Sequence, residues 1–288
     1  MSNDYQRQVI DFYALRHDYD NDFTEARALK LVNYLYLQKK QSVLDVATGT
    51  GFIAVATRSL RETAIAPKVK SVIGVDFTPE MIARAEKKLE ALNIENLDLI
   101  NADIAAIDFA ESSFDLITCS MAIALFPDIP PVLAKWYQWL KKGGSIATRS
   151  LREIAFSCHN LESHFLPLIS GVCRETYGFE LPNLHTPIAT PEKCHQLLEN
   201  AGFTNISVNV EQLGRYLPLE TAKNFWYGQY FHPQDNPLDL ALRARCDRLS
   251  AAEIATLVNN YRREIEKNAT DQGVWQDATT FFITASKS

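Results

Sequence analysis

The chain has 288 residues, 47% of them hydrophobic and 22% charged, and a formal net charge of −6. That is enough apolar material for one sizeable core, alone or with a cap. The acidic balance argues against nucleic acid or an anionic membrane as the main partner, because phosphate binding needs a basic surface. Five cysteines without metal-like spacing point to free thiols in a reducing compartment. The opening MSNDYQRQVIDFY is too polar for a secretory leader, and no apolar run approaches the length of a membrane span, so a cytoplasmic protein is expected.

Residues 24–38 predict a helix with Ala28, Leu31, Val32 and Leu35 on one face and Thr24 as its cap. Residues 42–46 form a short apolar run that ends in glycines, the pattern of a buried strand. A second strand is predicted over 71–75. Thr78 and Pro79 open the next helix as cap and first residue, with Ile82, Ala85, Leu89 and Leu92 as its buried stripe. Further strands are predicted at 97–100, 114–119 and 145–148. Strand alternating with helix implies a parallel sheet covered on both faces.

The second half reads differently. Residues 151–189 look irregular, with several histidines and prolines. A capped helix over 190–200 leads to a strand over 203–210. Residues 213–274 read as helical, with aromatics in front and a capping box made by Ser250 and Glu253. A last strand is predicted over 279–285. No linker separates independent domains. The expected plan is one domain: an N-terminal lid over 1–39, a ligand-binding core over 40–150, cap insertions over 151–189 and 213–274, and sheet-completing segments over 190–212 and 275–288.

The chemistry concentrates in VLDVATGTGF, residues 43–52, where a buried strand runs into a turn carrying Gly49 and Gly51. Without a Cβ these residues let a ligand approach the backbone, beside the free N–H groups of a following helix. A lone G-x-G is more often an ordinary turn. Here Asp76 ends the next strand, at the spacing where such folds hold ribose hydroxyls, and Asp103 follows the third strand, within reach of an adenine amino group. Asp45 lies inside the first strand, where a carboxylate would repel a pyrophosphate but suits an ammonium. S-adenosylmethionine carries an amine, a carboxylate and a sulfonium, which favours it over NAD or ATP. No G-x-x-x-x-G-K-[ST] is present.

VLDVATGTG, VIGVDFTPEMIARAEKK, NADIAAIDFAESSFDLITCSMAIALFPD and LKKGGSIATRS resemble, in order, the successive motifs of class I S-adenosylmethionine-dependent methyltransferases. They are most similar to the ubiquinone/menaquinone-biosynthesis methyltransferases and their small-molecule relatives. The likeness covers residues 40–150, and FTNISVNVEQL and TTFFITASK resemble the family's antiparallel terminal pair. The resemblance implies an α/β, Rossmann-like, seven-stranded, mostly parallel sheet of order 3-2-1-4-5-7-6 with helical cap insertions. It implies that Asp45, Ala47, Gly49 and Gly51 line the methionine moiety. Asp76 and Phe77 would hold the ribose with Met81 nearby, Asp103 and Ile104 the adenine. Ser120 and Met121 would sit beside the methyl group.

In this class the N-terminal segment often folds over the cofactor, which gives Tyr5, Tyr13, Arg16 and Tyr19 a lid role, with Tyr19 as cofactor contact; the alternative is ordinary packing. Arg149 and Arg152, past the fifth strand, can pair with an acidic acceptor. His159, His164 and His185 are candidates for a general base, set against structural histidines. Cys158-His159 and Cys194-His195 are adjacent pairs that rarely chelate one ion, so no metal is expected. Phe225, Trp226, Tyr227, Tyr230 and Phe231 divide between core and a hydrophobic acceptor pocket. The long helical insertion and the CSMA at the fourth strand's end depart from the quinone enzymes and from N-P-P-Y enzymes, respectively. The expected reaction is methyl transfer to O, N or C of a small molecule, oxygen first, enclosed by the two insertions and the N-terminal segment. The alternatives are a methyltransferase acting on RNA or protein, and a cofactor-binding protein that transfers no methyl group.

Overall fold

The computed structural model describes residues 3–14, 19–55, 64–143, 153–159, 165–180, 185–229 and 249–288. The chain forms two compact units: residues 13–158, 187–210 and 281–288 in one, residues 1–12, 159–186 and 211–280 in the other.

The larger unit is built on the sheet. β1 (Ser42–Val46) pairs in parallel with β2 (Ser71–Asp76) on one side and β4 (Leu116–Ser120) on the other. β2 pairs with β3 (Leu97–Asn101), and β4 with β5 (Glu153–His159). The last strand of the chain, β10 (Thr279–Ser286), lies between β5 and β6 (Thr204–Gln212), so the strand order is β3-β2-β1-β4-β5-β10-β6. This is the expected 3-2-1-4-5-7-6. Thr204 meets Ser286 and Ser288 while Gln212 meets Thr279, so β6 and β10 run in opposite directions. Continuous burial of Val43, Leu44 and Val46 is what a strand covered on both faces requires.

Helix α3 (Pro79–Leu92) follows β2 and α4 (Ile129–Trp139) follows β4. α4 buries Ile129, Val132, Leu133 and Trp136, the i, i+3, i+4, i+7 stripe of a core-facing helix. Its last carbonyls, those of Tyr137 and Leu140, accept from Lys287 Nζ at 2.5 and 2.8 Å, and the ammonium lies 4.7 Å from the Tyr137 ring centroid. A cation from the end of the chain thus neutralises the negative end of a helix made midway along it. α2 (Asp22–Lys30) and α6 (Pro191–Asn200) are further helices of this unit.

Several local expectations are corrected. The helix predicted over 24–38 is capped by Asn21, whose side chain accepts from Thr24 N at 2.9 Å, and it passes at Leu31 into a 3-10 turn ending at Tyr34. Thr78 does not cap α3 with its side chain; its own N–H is taken by Asp76 Oδ1 at 2.9 Å. The fifth strand is Glu153–His159, inside the segment expected to be irregular, and the predicted 145–148 falls outside the described residues. Leu140 bridges Phe114 and Lys141 N bonds Phe114 O, whereas Glu153 N bonds Asp115 O. The position beside Phe114 is therefore filled by Leu140 and those beside Leu116–Ser120 by Glu153–Ser157, two separate stretches of sequence rather than one periodic run.

In the smaller unit, α1 (Asn3–Ala14) begins the chain, and α5 (Leu166–Tyr177), α7 (Leu219–Gln229) and α8 (Ala251–Lys267) share a core of Phe165, Ile169, Val172, Tyr261 and Ile265. Tyr261 donates its hydroxyl to Ala222 O at 2.8 Å, which satisfies the one polar atom of a fully buried ring. The Ser250–Glu253 capping box opens α8 as predicted. Residues 213–274 are not helical throughout: β7 (Arg215–Leu217), β8 (Ala269–Thr270) and β9 (Gly273–Gln276) form a small antiparallel sheet of order β7-β9-β8. Phe225 packs edge-on against Phe165 at 5.1 Å, the core role; the side chains of Trp226 and Tyr227, and residues Tyr230 and Phe231, lie outside the described residues. No helix among the described residues is long and apolar enough to cross a membrane.

Candidate active site

The carboxyl ends of β1, β2 and β4 converge on the glycine turn. After β1 the backbone takes a left-handed conformation at Ala47 (φ 52°), Gly49 (φ 56°) and Gly51 (φ 81°). Thr48 N bonds Val75 O at 3.0 Å and Gly49 N bonds Asp76 Oδ2 at 2.9 Å, so the end of β2 holds the turn from its inner side. Val55 N reaches Gly51 O at 2.8 Å, one helical turn past the glycine. Side chains at 49 or 51 would oppose these left-handed dihedrals, and a Cβ on Gly51 would meet Val55 Cγ2 at 3.2 Å.

Two buried carboxylates face this turn. Asp45 accepts from the Thr48 hydroxyl at 2.6 Å and from the Thr118 hydroxyl at 2.8 Å. Burial pushes its carboxyl up to about 7, the charge of Asp76 adds to this, and the two hydroxyls work against it. Burial likewise raises Asp76 above the ordinary carboxylate range, against the N–H groups of Thr78 and Gly49. Neither carboxylate makes an ion pair among the described residues. A pair of buried carboxyl groups held by neutral donors fits a ligand that brings its own ammonium and a vicinal diol.

The other predicted cofactor residues lie after β2, in α3, after β3 and ahead of α2. Phe77 is half-buried beside Asp76, and Met81 and Ile104 are buried. Asp103 Oδ1 accepts from Ala105 N at 2.9 Å, which fixes the bend after β3. Tyr19 stacks on Phe52 with ring centroids 5.3 Å apart, and its hydroxyl would lie 3.8 Å from a Cβ on Gly49. Tyr13 meets Tyr19 edge-on at 5.8 Å.

The end of β4 is built differently. Met121 has a left-handed backbone (φ 60°), and its N–H is shared between the carbonyl and the hydroxyl of Ser157, each at 3.1 Å. Ser120 Oγ lies 3.4 Å from Ser157 Oγ. β5 ends two residues later, at His159. Its Nδ1 is 3.4 Å from Thr280 Oγ1, and its ring meets that of His185 edge-on at 5.7 Å. Burial pushes His185 down to about 4. Arg149, Arg152, His164 and Arg16 lie outside the described residues, and nothing is described of the Tyr5 side chain. Among the described residues no three His, Cys, Asp or Glu side chains gather as metal ligands.

Sequence reasoning missed the hydroxyls of Thr48, Thr118, Ser157 and Thr280, and Asp20, whose carboxylate accepts from Thr50 Oγ1 at 2.5 Å. Thr48 and Thr50 stood inside the quoted motif; Thr118, Ser157 and Thr280 come from distant strands and Asp20 from the segment ahead of α2, and none carries a local signal.

Residues 37–202 match the methyltransferase domain family. The chain is 30% identical over 191 residues to a demethylmenaquinone methyltransferase of Porphyromonas gingivalis, covering 63% of this chain and 73% of that one. It is 30% identical over 172 residues to a ubiquinone/menaquinone biosynthesis C-methyltransferase of Geotalea daltonii, covering 57% and 70%. Among solved structures, a phosphoethanolamine N-methyltransferase of Haemonchus contortus in complex with S-adenosyl-L-methionine superimposes with a TM-score of 0.52 at 16% identity, over 96% of this chain and 56% of that one. A glycine turn held between buried carboxyl groups, a sheet of this strand order and a family match over more than half of the chain lead to one conclusion: the chain belongs to the methyltransferase domain family and is an S-adenosylmethionine-dependent methyltransferase.

Proposed function

We propose that the chain methylates a small hydroxylated acceptor in the cytoplasm, with the cofactor laid along the ends of β1, β2 and β3. In this reading Asp45 faces the amine, and Ala47, Gly49 and Gly51 line the methionine moiety. Asp76 takes the ribose hydroxyls, with Phe77 and Met81 beside them; Asp103 and Ile104 border the adenine. Ser120 and Met121 form the edge nearest the methyl group, and Tyr19 closes over the glycine turn. The cofactor supplies a methyl group made electrophilic by its positive sulfur, so the protein has to align the acceptor and exclude water.

His159 carries the acceptor half of the reading. Thr280 has one hydroxyl proton, and it goes to Ala278 O at 2.9 Å. Toward His159 Nδ1 the same oxygen is therefore an acceptor. In this reading the neutral imidazole carries its proton on Nδ1, the tautomer in which Nε2 can serve as a general base. A hydroxyl that gives its proton to Nε2 becomes the nucleophile.

A phenol deprotonated in this way is nucleophilic at oxygen and at the adjacent ring carbons. Methylation at carbon is the second reading, favoured by the names of the quinone-pathway relatives. The formal charge of −6 supports a small acceptor over RNA. The test is incubation with methyl-labelled S-adenosylmethionine and a panel of phenols, hydroxyquinones and hydroxy acids, with NMR of the products. An O-methyl signal supports the first reading and a ring C-methyl signal the second. Label found only in RNA, protein or amine products overturns both.

A further inference from the structure

Two carboxylates grip the glycine turn, one from each side. Asp76 takes the N–H of Gly49 from within. From outside, Asp20 takes the hydroxyl of Thr50 at 2.5 Å. Asp20 directly follows Tyr19, the residue stacked on Phe52 beside Gly49. Its other partners are cations of α3. Arg84 donates to Oδ2 through Nη2 at 2.7 Å and Nε at 3.1 Å, and Lys88 donates to Oδ1 at 2.8 Å. Lys88 also donates to Thr50 Oγ1 at 3.1 Å and lies 4.7 Å from the Phe52 centroid. The Thr50 hydroxyl thus gives its proton to Asp20 and accepts from Lys88. Burial tends to raise the Asp20 carboxyl, but bonds from Lys88, Thr50 and Arg84 hold it below its ordinary value.

A single exposed ion pair contributes little. Here one carboxylate, two cations and a buried hydroxyl meet at a point joining the segment after Tyr19, the glycine turn and α3. Asp20 also offsets the two cations standing next to the turn. We propose that Asp20 is a positioning residue that clamps the glycine turn from outside and tunes the site toward the cationic methyl donor over its neutral product. This rests on the reading of the turn as the cofactor's seat.

The electrostatic part gives a readout that a merely structural role would not move. S-adenosylmethionine carries one net positive charge, and S-adenosylhomocysteine none. Asp20→Asn removes one negative charge from beside Arg84 and Lys88, so the donor should lose more affinity than the product. For a unit charge about 10 Å away at an intermediate effective dielectric, the extra loss is about two- to tenfold. It should shrink as added salt screens it. Lys88→Gln makes the opposite change and should move the donor-to-product ratio in the opposite direction. Thr50→Val keeps the charges but cuts the tie to the turn, so it should weaken both ligands alike. Asp20→Glu should recover part of the loss.

The experiment is calorimetric titration of the full chain with each ligand at low and high ionic strength, for the wild type and these variants. Unaltered affinities in folded Asp20→Asn overturn the proposal. So does a loss equal for the two ligands and insensitive to salt. Should Asp20→Asn fail to fold, Lys88→Gln decides by the direction of its ratio, an unchanged or reversed ratio being fatal. Asp76→Ala serves as the control for the underlying reading. If it binds like the wild type, the turn is not the cofactor's seat; if it is weak while Asp20→Asn is not, only the clamp is wrong.

Discussion

The two halves of the sheet's carboxyl edge are chemically different places. At β1 and β2 the side chains are carboxylates, Asp45 and Asp76, held by neutral hydroxyls and backbone N–H groups. At β4 and β5 they are the neutral hydroxyls of Ser120 and Ser157. The first half suits the ammonium and ribose hydroxyls of the proposed cofactor, which turnover leaves unchanged. The second suits a partner whose proton must leave. In the proposed reading one fold edge separates cofactor binding from proton transfer, and variants on the two halves should fail in different ways.

The largest effect is expected on the acceptor half. His159→Ala should lower turnover by about 10²–10⁴-fold, the usual span for loss of a positioned base, while S-adenosylhomocysteine affinity stays within about twofold. Thr280→Val should shift the pH–rate profile, since it removes the oxygen beside His159 Nδ1. A His159→Ala enzyme that turns over at the wild-type rate would remove the base from the mechanism.

Next in size is Asp76→Ala. Hydrogen bonds to a charged acceptor contribute about 1.5–3 kcal/mol, so cofactor affinity should fall at least about tenfold by calorimetry. Asp76 also anchors the N–H groups of Gly49 and Thr78, so hydrogen exchange at these two amides should accelerate in the same variant. Unchanged affinity together with faster exchange would make Asp76 a purely structural brace.

These contrasts also show what could be read from the sequence. β1, β2 and the glycine turn were legible because a buried apolar run stops at residues whose backbone must turn left-handed. The strand order followed from the resemblance. β5 was not legible, because its track beside β4 is shared by Leu140–Lys141 and Glu153–His159, far apart in the chain. The β7-β9-β8 sheet was missed because strands of two to four residues are too short to show alternation. Capping was half legible: Ser250 and Glu253 formed their box, but Asn21 displaced Thr24, and Asp76 took the N–H at Thr78. Asp20, Arg84 and Lys88 are 64 and 68 positions apart, and no local rule links them.

A subtler contrast concerns protons on the donor half itself. The Asp45 carboxyl, at about 7, is raised by burial first and by Asp76 second. A cationic ligand needs it ionised, so cofactor affinity should rise with pH by about tenfold between pH 6 and 8 and then level off. Asp45→Asn should flatten the profile. The sign for folding is opposite. The folded chain holds this proton more tightly than the unfolded one, so Asp45 favours the cofactor-free fold below the ordinary carboxylate range and loses that contribution as pH rises through about 7. A flat affinity profile in the wild type would place the amine elsewhere.

The smallest expected effect comes from the backbone. Ala47 and Met121 are non-glycine residues in left-handed conformation, one just past the end of β1 and one just past the end of β4. Each Cβ crowds the neighbouring carbonyl, at a cost of about 1–2 kcal/mol, and such strain persists where surrounding bonds over-determine the turn. At Met121 those bonds come from Ser157, and the side chain fills the edge assigned to the methyl group, so glycine there trades strain for lost packing. At Ala47 only a methyl group is lost. Ala47→Gly should therefore remove the strain and, after the greater freedom of glycine in the unfolded chain is subtracted, stabilise the protein by up to about 1 kcal/mol. Thermal unfolding would show a rise of a few degrees at most. A fall in melting temperature for Ala47→Gly would mean that the methyl group at position 47 packs well enough to outweigh the strain, and that the turn is held by its side chains more than by its backbone.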